Sequence, residues 1–212
     1  MVCNRSGKLL CPYCKRELFR IEQKSACKSC GAPYGSLVCT ECAQDWICDS
    51  AVCACAHDSI AESIIKSYKD FGEQRLYSLI AGYMHEAYLE SHLAQTHYSC
   101  LTYIPASKSA LRRRGFDHME LIAQEFSSLS QITLKLVLQK RDNKDQRKLS
   151  KFERKDNMKD AFKIIDPSSI EGASILLLDD VITTGATINE AAKSLKEGGV
   201  MRVDVLAFAR VW

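Results

Sequence analysis

The stretch ILLLDDVITTGAT, residues 175–187, sets four apolar residues against two adjacent acids and then turns at once into Thr-Thr-Gly. A short continuous apolar run followed by turn residues fits a strand buried on both faces. Beyond it, Ile188, Ala191, Ala192 and Leu195 keep the spacing of a helix with one buried stripe; Gly198-Gly199 closes that helix, and VDVLAF, 203–208, supplies another strand. Strand, helix and strand in this order imply a crossover connection and a parallel sheet. Ligands of such sheets bind beyond the carboxyl ends of the strands, where Asp179, Asp180 and the turn fall.

A turn that leads into a helix aims several unpaired N–H groups at one point. Gly185 permits a close backbone approach or a positive φ, and Thr183, Thr184 and Thr187 add hydroxyl donors around it. Two carboxylates beside a phosphate pocket repel the phosphate unless they face other groups, such as hydroxyls or a divalent ion. A phosphorylated sugar supplies both. Helix capping alone accounts for an isolated pair of aspartates, but not for the run as a whole.

Outward from this stretch, Leu76, Leu79, Ile80, Tyr83, Met84 and Ala87 predict a helix, as do Met119, Ile122, Ala123 and Phe126. CLTYI, 100–104, and ITLKLVL, 132–138, read as strands. The chain of 212 residues has room for one domain with a sizeable core and a small appendage. Its 46% hydrophobic and 26% charged residues are ordinary for a globular protein, and no window reaches the ~18 apolar residues of a membrane span. No secretory leader is evident, so a cytoplasmic location is expected. A net charge of +3 is too small to announce a polyanion binder by itself; the distribution of charge has to carry that argument.

Ten of the eleven cysteines precede residue 56. In a reducing compartment such crowding reads as metal ligation. Three CxxC pairs stand out: Cys11 and Cys14, Cys27 and Cys30, Cys39 and Cys42. Two intervening residues let both thiolates of a tight knuckle reach one tetrahedral zinc. Four thiolates complete one ion, so three pairs leave either a spare pair or a second site finished by Cys48, Cys53, Cys55 or His57. Composition breaks near residue 57, which divides the chain into a cysteine-rich zinc module, 1–58, and an α/β domain, 59–212.

LLLDDVITTGAT resembles the 5-phosphoribosyl-1-pyrophosphate motif of type I phosphoribosyltransferases. That resemblance implies a parallel sheet with helices on both faces, with Asp179 and Asp180 on the ribose hydroxyls and Thr183, Thr184, Gly185, Ala186 and Thr187 around the 5-phosphate. With the cysteine pairs ahead of it, the chain is similar to the ComF (ComFC/GntX-like) competence family over nearly its whole length. SIIKSYKDFG, 63–72, and IPASKSALRRRGFDHMELIA, 104–123, parallel family segments, although Ala106-Ser107 and Asp117-His118 depart from the usual Val-Pro and Asn-Gln. Lys108, Arg112, Arg113 and Arg114 follow a strand end, where guanidinium forks suit phosphate oxygens. The segment 140–162 resembles the family's mobile loop through Gln146, Leu149, Arg154, Asn157 and Phe162.

The family resemblance implies a DNA-uptake protein of natural transformation that handles single-stranded DNA in the cytoplasm. Its partners would be phosphoribosyl pyrophosphate or a related sugar phosphate, DNA, and competence or recombination proteins. Structural zinc and a magnesium ion accompanying the pyrophosphate are the implied cofactors. Any membrane contact would be peripheral, at the cytoplasmic face of the inner membrane. The alternative is an active phosphoribosyltransferase of nucleotide salvage or biosynthesis, for which no residue announces itself as the acceptor's base. A zinc-linked interaction module is a third reading, and it leaves the acid pair unexplained.

Overall fold

A computed structural model describes residues 9–35, 39, 46–141 and 161–212. Four parallel strands form the central sheet, in the order β1 (Ser50–Ala56), β6 (Arg202–Arg210), β5 (Ser174–Ile182), β2 (Cys100–Tyr103). The run 175–178 lies beside β6 with Ile175 opposite Val203 and Leu178 opposite Leu206. Period-two alternation sends Leu176 and Leu178 to one face and Ile175 and Leu177 to the other, and all four are fully buried. Both faces are covered, so the strand has no polar alternation to show.

One face carries α2 (Ser59–Lys69), α3 (Leu76–Glu90) and α5 (His118–Ser130), which bury Ile64, Tyr68, Ile80, Met84, Met119, Ile122 and Phe126 against it. The other face carries α6 (Ala186–Glu197) and a two-stranded antiparallel flap, β3 (Leu138–Lys140) with β4 (Phe162–Ile164). α6 lays Ile188, Ala191, Ala192 and Leu195 on the sheet, the stripe its spacing predicts, and ends at Gly198-Gly199, the latter at φ +90. Of the segment 132–138, Leu134 makes a single bridge to Leu101 and only Leu138 enters a strand.

Residues 50–56, grouped by composition with the cysteine module, form the edge strand β1, fully buried along its length. Cys53 and Cys55 act there as small apolar strand residues, and the Cys55 thiol donates to the Phe208 carbonyl at 3.0 Å. The break in composition therefore follows the first strand. Ahead of it, α1 (Pro12–Glu17) opens on Cys11, whose sulfur accepts the Cys14 N–H at 3.5 Å. Asp58 joins the two parts: one oxygen caps α2 through Ile60 and Ala61, and the other accepts the Phe19 N–H at 2.9 Å.

Candidate functional site

The strand holding the acids is longer than its apolar run, so Asp179 and Asp180 stand within the carboxyl-terminal half of β5 and not in the turn after it. Both are buried. Adjacent strand residues point to opposite faces, and this gives the two carboxyls different surroundings. Asp180 meets Lys69, from the last turn of α2, as an ion pair, and Nε2 of His118, the first residue of α5, at 2.8 Å. Asp179 accepts the Asp180 N–H at 2.9 Å.

The surroundings drive the two groups apart. Burial, then the charge of Asp180, pushes the Asp179 carboxyl up to about 8, with Lys69 and Lys140 opposing weakly. Burial works on Asp180 in the same direction, but the hydrogen bond from His118 and the nearby Lys69 outweigh it and hold Asp180 well below the usual carboxylate range. The pair thus stands as one ionised and one protonated carboxyl near neutral pH.

Arg114, at the end of α4 (Lys108–Arg114), donates from Nη1 to Nδ1 of His118 at 3.1 Å. A guanidinium can only donate, so Nδ1 is the acceptor and the Nε2–H is directed at Asp180. The His118 carbonyl accepts the Tyr68 hydroxyl at 2.7 Å, which fixes α5 against α2. Asp117 caps α5 through Met119 and also accepts the Ala106 N–H at 2.9 Å, so the segment that departs from Val-Pro and Asn-Gln is tied together by its own replacement. Arg112 and Arg113 are exposed on α4, while Arg114 alone of that run is shown turned inward to His118; its Nε is buried with no hydrogen-bond partner among the described residues. Lys108 lies exposed at the start of the same helix.

Beyond β5, Gly185 is the residue before α6 and has φ +77, the left-handed conformation that its position in the motif predicts. It is buried; Thr183, Thr184 and Ala186 are exposed and Thr187 is half-buried, so the loop presents its hydroxyls outward over a fixed base. Lys140, at the end of β3, stands close enough to Asp179 to lower it and lies 5.8 Å from the Phe162 ring centroid. The rest of the basic segment, including Gln146, Leu149, Arg154 and Asn157, lies outside the described residues. Phe116, one aromatic of the basic stretch, packs 5.7 Å from Tyr68 at the edge of the core.

The cysteines divide. Sulfurs of Cys27, Cys30 and Cys39 lie within 4.8 Å of one another, and those of Cys30 and Cys39 are 3.5 Å apart. The Gly31 N–H donates to the Cys27 carbonyl at 2.8 Å, and Gly31 takes φ +70, which forms the knuckle. Three converging sulfurs, two of them buried, suit a thiolate-preferring ion such as zinc. Cys11 and Cys14 stand outside this cluster, and Cys42 lies outside the described residues. Lys69, His118, Trp46 and Arg210 carry no role in the sequence motifs; Lys69 and His118 lie within the segments 63–72 and 104–123, but only the fold brings them to the acids.

The family model described as phosphoribosyl transferase domain matches residues 110–211. Competence protein F of Haemophilus influenzae is 35% identical over 101 residues, 46% of this chain and 44% of that protein. Competence protein ComFC of Bacillus subtilis is 37% identical over 101 residues, 45% of this chain and 38% of that protein. The chain thus spans less than half the length of these relatives. Among solved structures, a glutamine phosphoribosylpyrophosphate amidotransferase from B. subtilis aligns with TM-score 0.44 at 18% identity, covering 66% of this chain and 30% of that one. Residues 110–211 thus carry a phosphoribosyltransferase-like α/β domain. Over 101 residues the chain is similar to the ComF competence proteins.

Proposed function

We propose that the chain is a competence-type DNA-uptake protein that handles single-stranded DNA and binds phosphoribosyl pyrophosphate, or a related sugar phosphate, at residues 179–187. The observation that carries the ligand reading is the unequal acid pair beside the loop headed by Gly185. Asp180, held ionised and oriented by Lys69 and His118, accepts from a sugar hydroxyl. Asp179, on the opposite face of the same strand end, has its carboxyl pushed towards the protonated form, so a cation or a diol arriving there would meet a carboxyl able to release its proton. Amides of Thr184 to Thr187 take the phosphate ester at the start of α6, with Gly185 allowing close approach.

The acid pair fits magnesium as donor chemistry, since hard carboxylate oxygens suit a hard divalent cation that would accompany a pyrophosphate. When bound, the ion would neutralise pyrophosphate charge. Lys140 on the flap, and Arg112 to Arg114 with Lys108 on α4, supply cations for the pyrophosphate or for a nucleic-acid backbone. Cys27, Cys30, Cys39 and Cys42 are assigned to structural zinc, with Cys11 and Cys14 as a separate knuckle; the relatives' names support DNA and competence proteins as partners, and a cytoplasmic setting belongs to the same proposal. No helix among the described residues is long and apolar enough to cross a membrane.

Calorimetry with phosphoribosyl pyrophosphate and magnesium, run beside single-strand binding over a salt series, tests both halves. Absence of heat in wild type sinks the ligand half, and a salt-independent DNA signal sinks the other. The second reading, an active phosphoribosyltransferase, is favoured by the retained acid pair. It requires pyrophosphate release with some purine, pyrimidine or amine acceptor, and loss of that release in Asp180→Asn.

A further inference from the structure

Behind the phosphate loop lies a linkage that neither the acid pair nor the cysteine cluster explains. Arg210, the last residue of β6, is almost completely buried. Its Nε donates to the Cys30 carbonyl at 3.2 Å, and its Nη1 donates to the carbonyls of Ile182, at 3.3 Å, and Thr183. One guanidinium therefore holds a residue of the three-sulfur cluster and the first residue of the phosphate loop at once. Its Cζ also lies 5.8 Å from the Trp46 ring centroid.

Trp46 makes a second route between the same regions. It packs against Cys27, Cys30 and Ala32 on one side. On the other, its six-membered ring fills the space that a Cβ on Gly185 would need, with ring carbons 2.6, 3.0 and 3.1 Å from that point. The next residue, Ile47, donates its N–H to Asn189 Oδ1 on the first turn of α6 at 3.0 Å. Both ends of the loop 183–187 are thus braced from the cysteine side.

We propose that Arg210 and Trp46 are positioning residues that make the shape of the phosphate loop depend on metal loading of the cysteine cluster. The inference rests on the preceding reading of the cysteines and the loop. Cys27, Cys30 and Ala32 are too few and too small to hold a knuckle by apolar burial, so its order comes from the metal. Loss of the ion frees the Cys30 carbonyl, and a buried guanidinium that loses that acceptor resettles among the carbonyls of Ile182, Thr183 and Val211, which loosens its hold on Thr183. The Trp46 ring loses its seat in the same step, and Gly185 loses its cover.

The test uses the full chain as Trp212→Phe, in which Trp46 is the sole tryptophan, either zinc-loaded or treated with a chelator. Chelation should redden Trp46 emission and speed amide exchange in 183–187, while peptides of β2 and α5 keep their protection. Ribose 5-phosphate should bind about tenfold more weakly to the chelated form, and by reciprocity should tighten zinc by the same factor, read as slower zinc release from the loaded form. Arg210→Met should bind zinc yet remove the effect of ribose 5-phosphate on zinc release; Trp46→Phe should retain most of that effect and Trp46→Ala little. Unchanged loop exchange on chelation, zinc release indifferent to ribose 5-phosphate despite its binding, or a protein that takes no metal would each overturn the linkage. Equal ribose 5-phosphate affinity in both metal states rejects the linkage and keeps the ligand reading. Coupled exchange without ribose 5-phosphate binding does the reverse. If chelation unfolds the whole chain, the zinc-release measurement on the loaded protein decides alone.

Discussion

Two groups of buried carboxylates sit at opposite ends of one sheet and are treated differently. Near the amino ends of the strands, Asp204 accepts from the Ser50 hydroxyl at 2.7 Å, the Tyr98 hydroxyl at 2.8 Å and Arg202 Nε at 2.7 Å. Its acceptor capacity is met by three elements of the fold, and it is wholly inaccessible. At the carboxyl ends, Asp180 has two side-chain partners, while Asp179, among the described residues, accepts one backbone N–H beside the charge of Asp180 and feels Lys69 and Lys140 only as nearby charges. A buried acid satisfied on every side is an internal brace; one left to protonate beside an outward-facing loop is poised for something not yet bound.

The largest effect expected from breaking this contrast is at Asp204. Asp204→Ala strands Tyr98, Ser50 and Arg202 together and should cost about 3–5 kcal/mol in urea unfolding, with sugar-phosphate affinity of the folded fraction unchanged. Asp180→Asn should do the opposite: a loss of about 1–3 kcal/mol in phosphoribosyl pyrophosphate binding by calorimetry, with a smaller change in unfolding midpoint.

Asp179 sharpens the contrast through pH. Its carboxyl is raised in the fold to about 8, so the stabilisation from its protonated form is complete below the ordinary carboxylate value and is lost as pH rises through about 8. Asp180, depressed in the fold, contributes in the other sense: its share is present above the ordinary value and falls away only in acid. Asp179→Asn should therefore raise the melting temperature at pH 9, by the equivalent of about 1–3 kcal/mol, and leave it nearly unchanged at pH 4. A wild-type protein equally stable at both would contradict the assignment.

Gly185→Ala places a Cβ at φ +77 against the Trp46 ring and should cost about 1–2 kcal/mol by thermal melting. Smallest is Arg112→Gln together with Arg113→Gln on exposed α4, which should shift stability by less than about 0.5 kcal/mol. The same double change should reduce the salt slope of single-strand binding by about 1.4.

Residues 175–178 and 188–195 were legible because both faces of β5 and one stripe of α6 are buried, and burial writes itself into periodicity. The same is true of α3 and α5. Asp179, Asp180 and Gly185 were legible because motif and strand end coincide in a few consecutive residues. Lys69, His118 and Arg210 were not, since each acts by reaching across from an element distant in the chain, and a lone Lys or His within a helix has no local signature. β1 was hidden for another reason: its Cys53 and Cys55 resemble the cysteines of the metal module, although their burial in the sheet is what keeps them apolar. Between 132 and 138 the apolar alternation promised a strand longer than the pairing permits.

The order of the sheet has a consequence for synthesis. The strand β6 lies between β1 and β5, so β1 has no parallel partner among the described strands until β6 is made. As the chain is synthesised, β1 is bonded along its other edge by residues 19–28 before its parallel partner β6 follows. Arg210, at the end of that strand, is made after both the cysteine side and the loop that it joins, so its latch can close only once each is present.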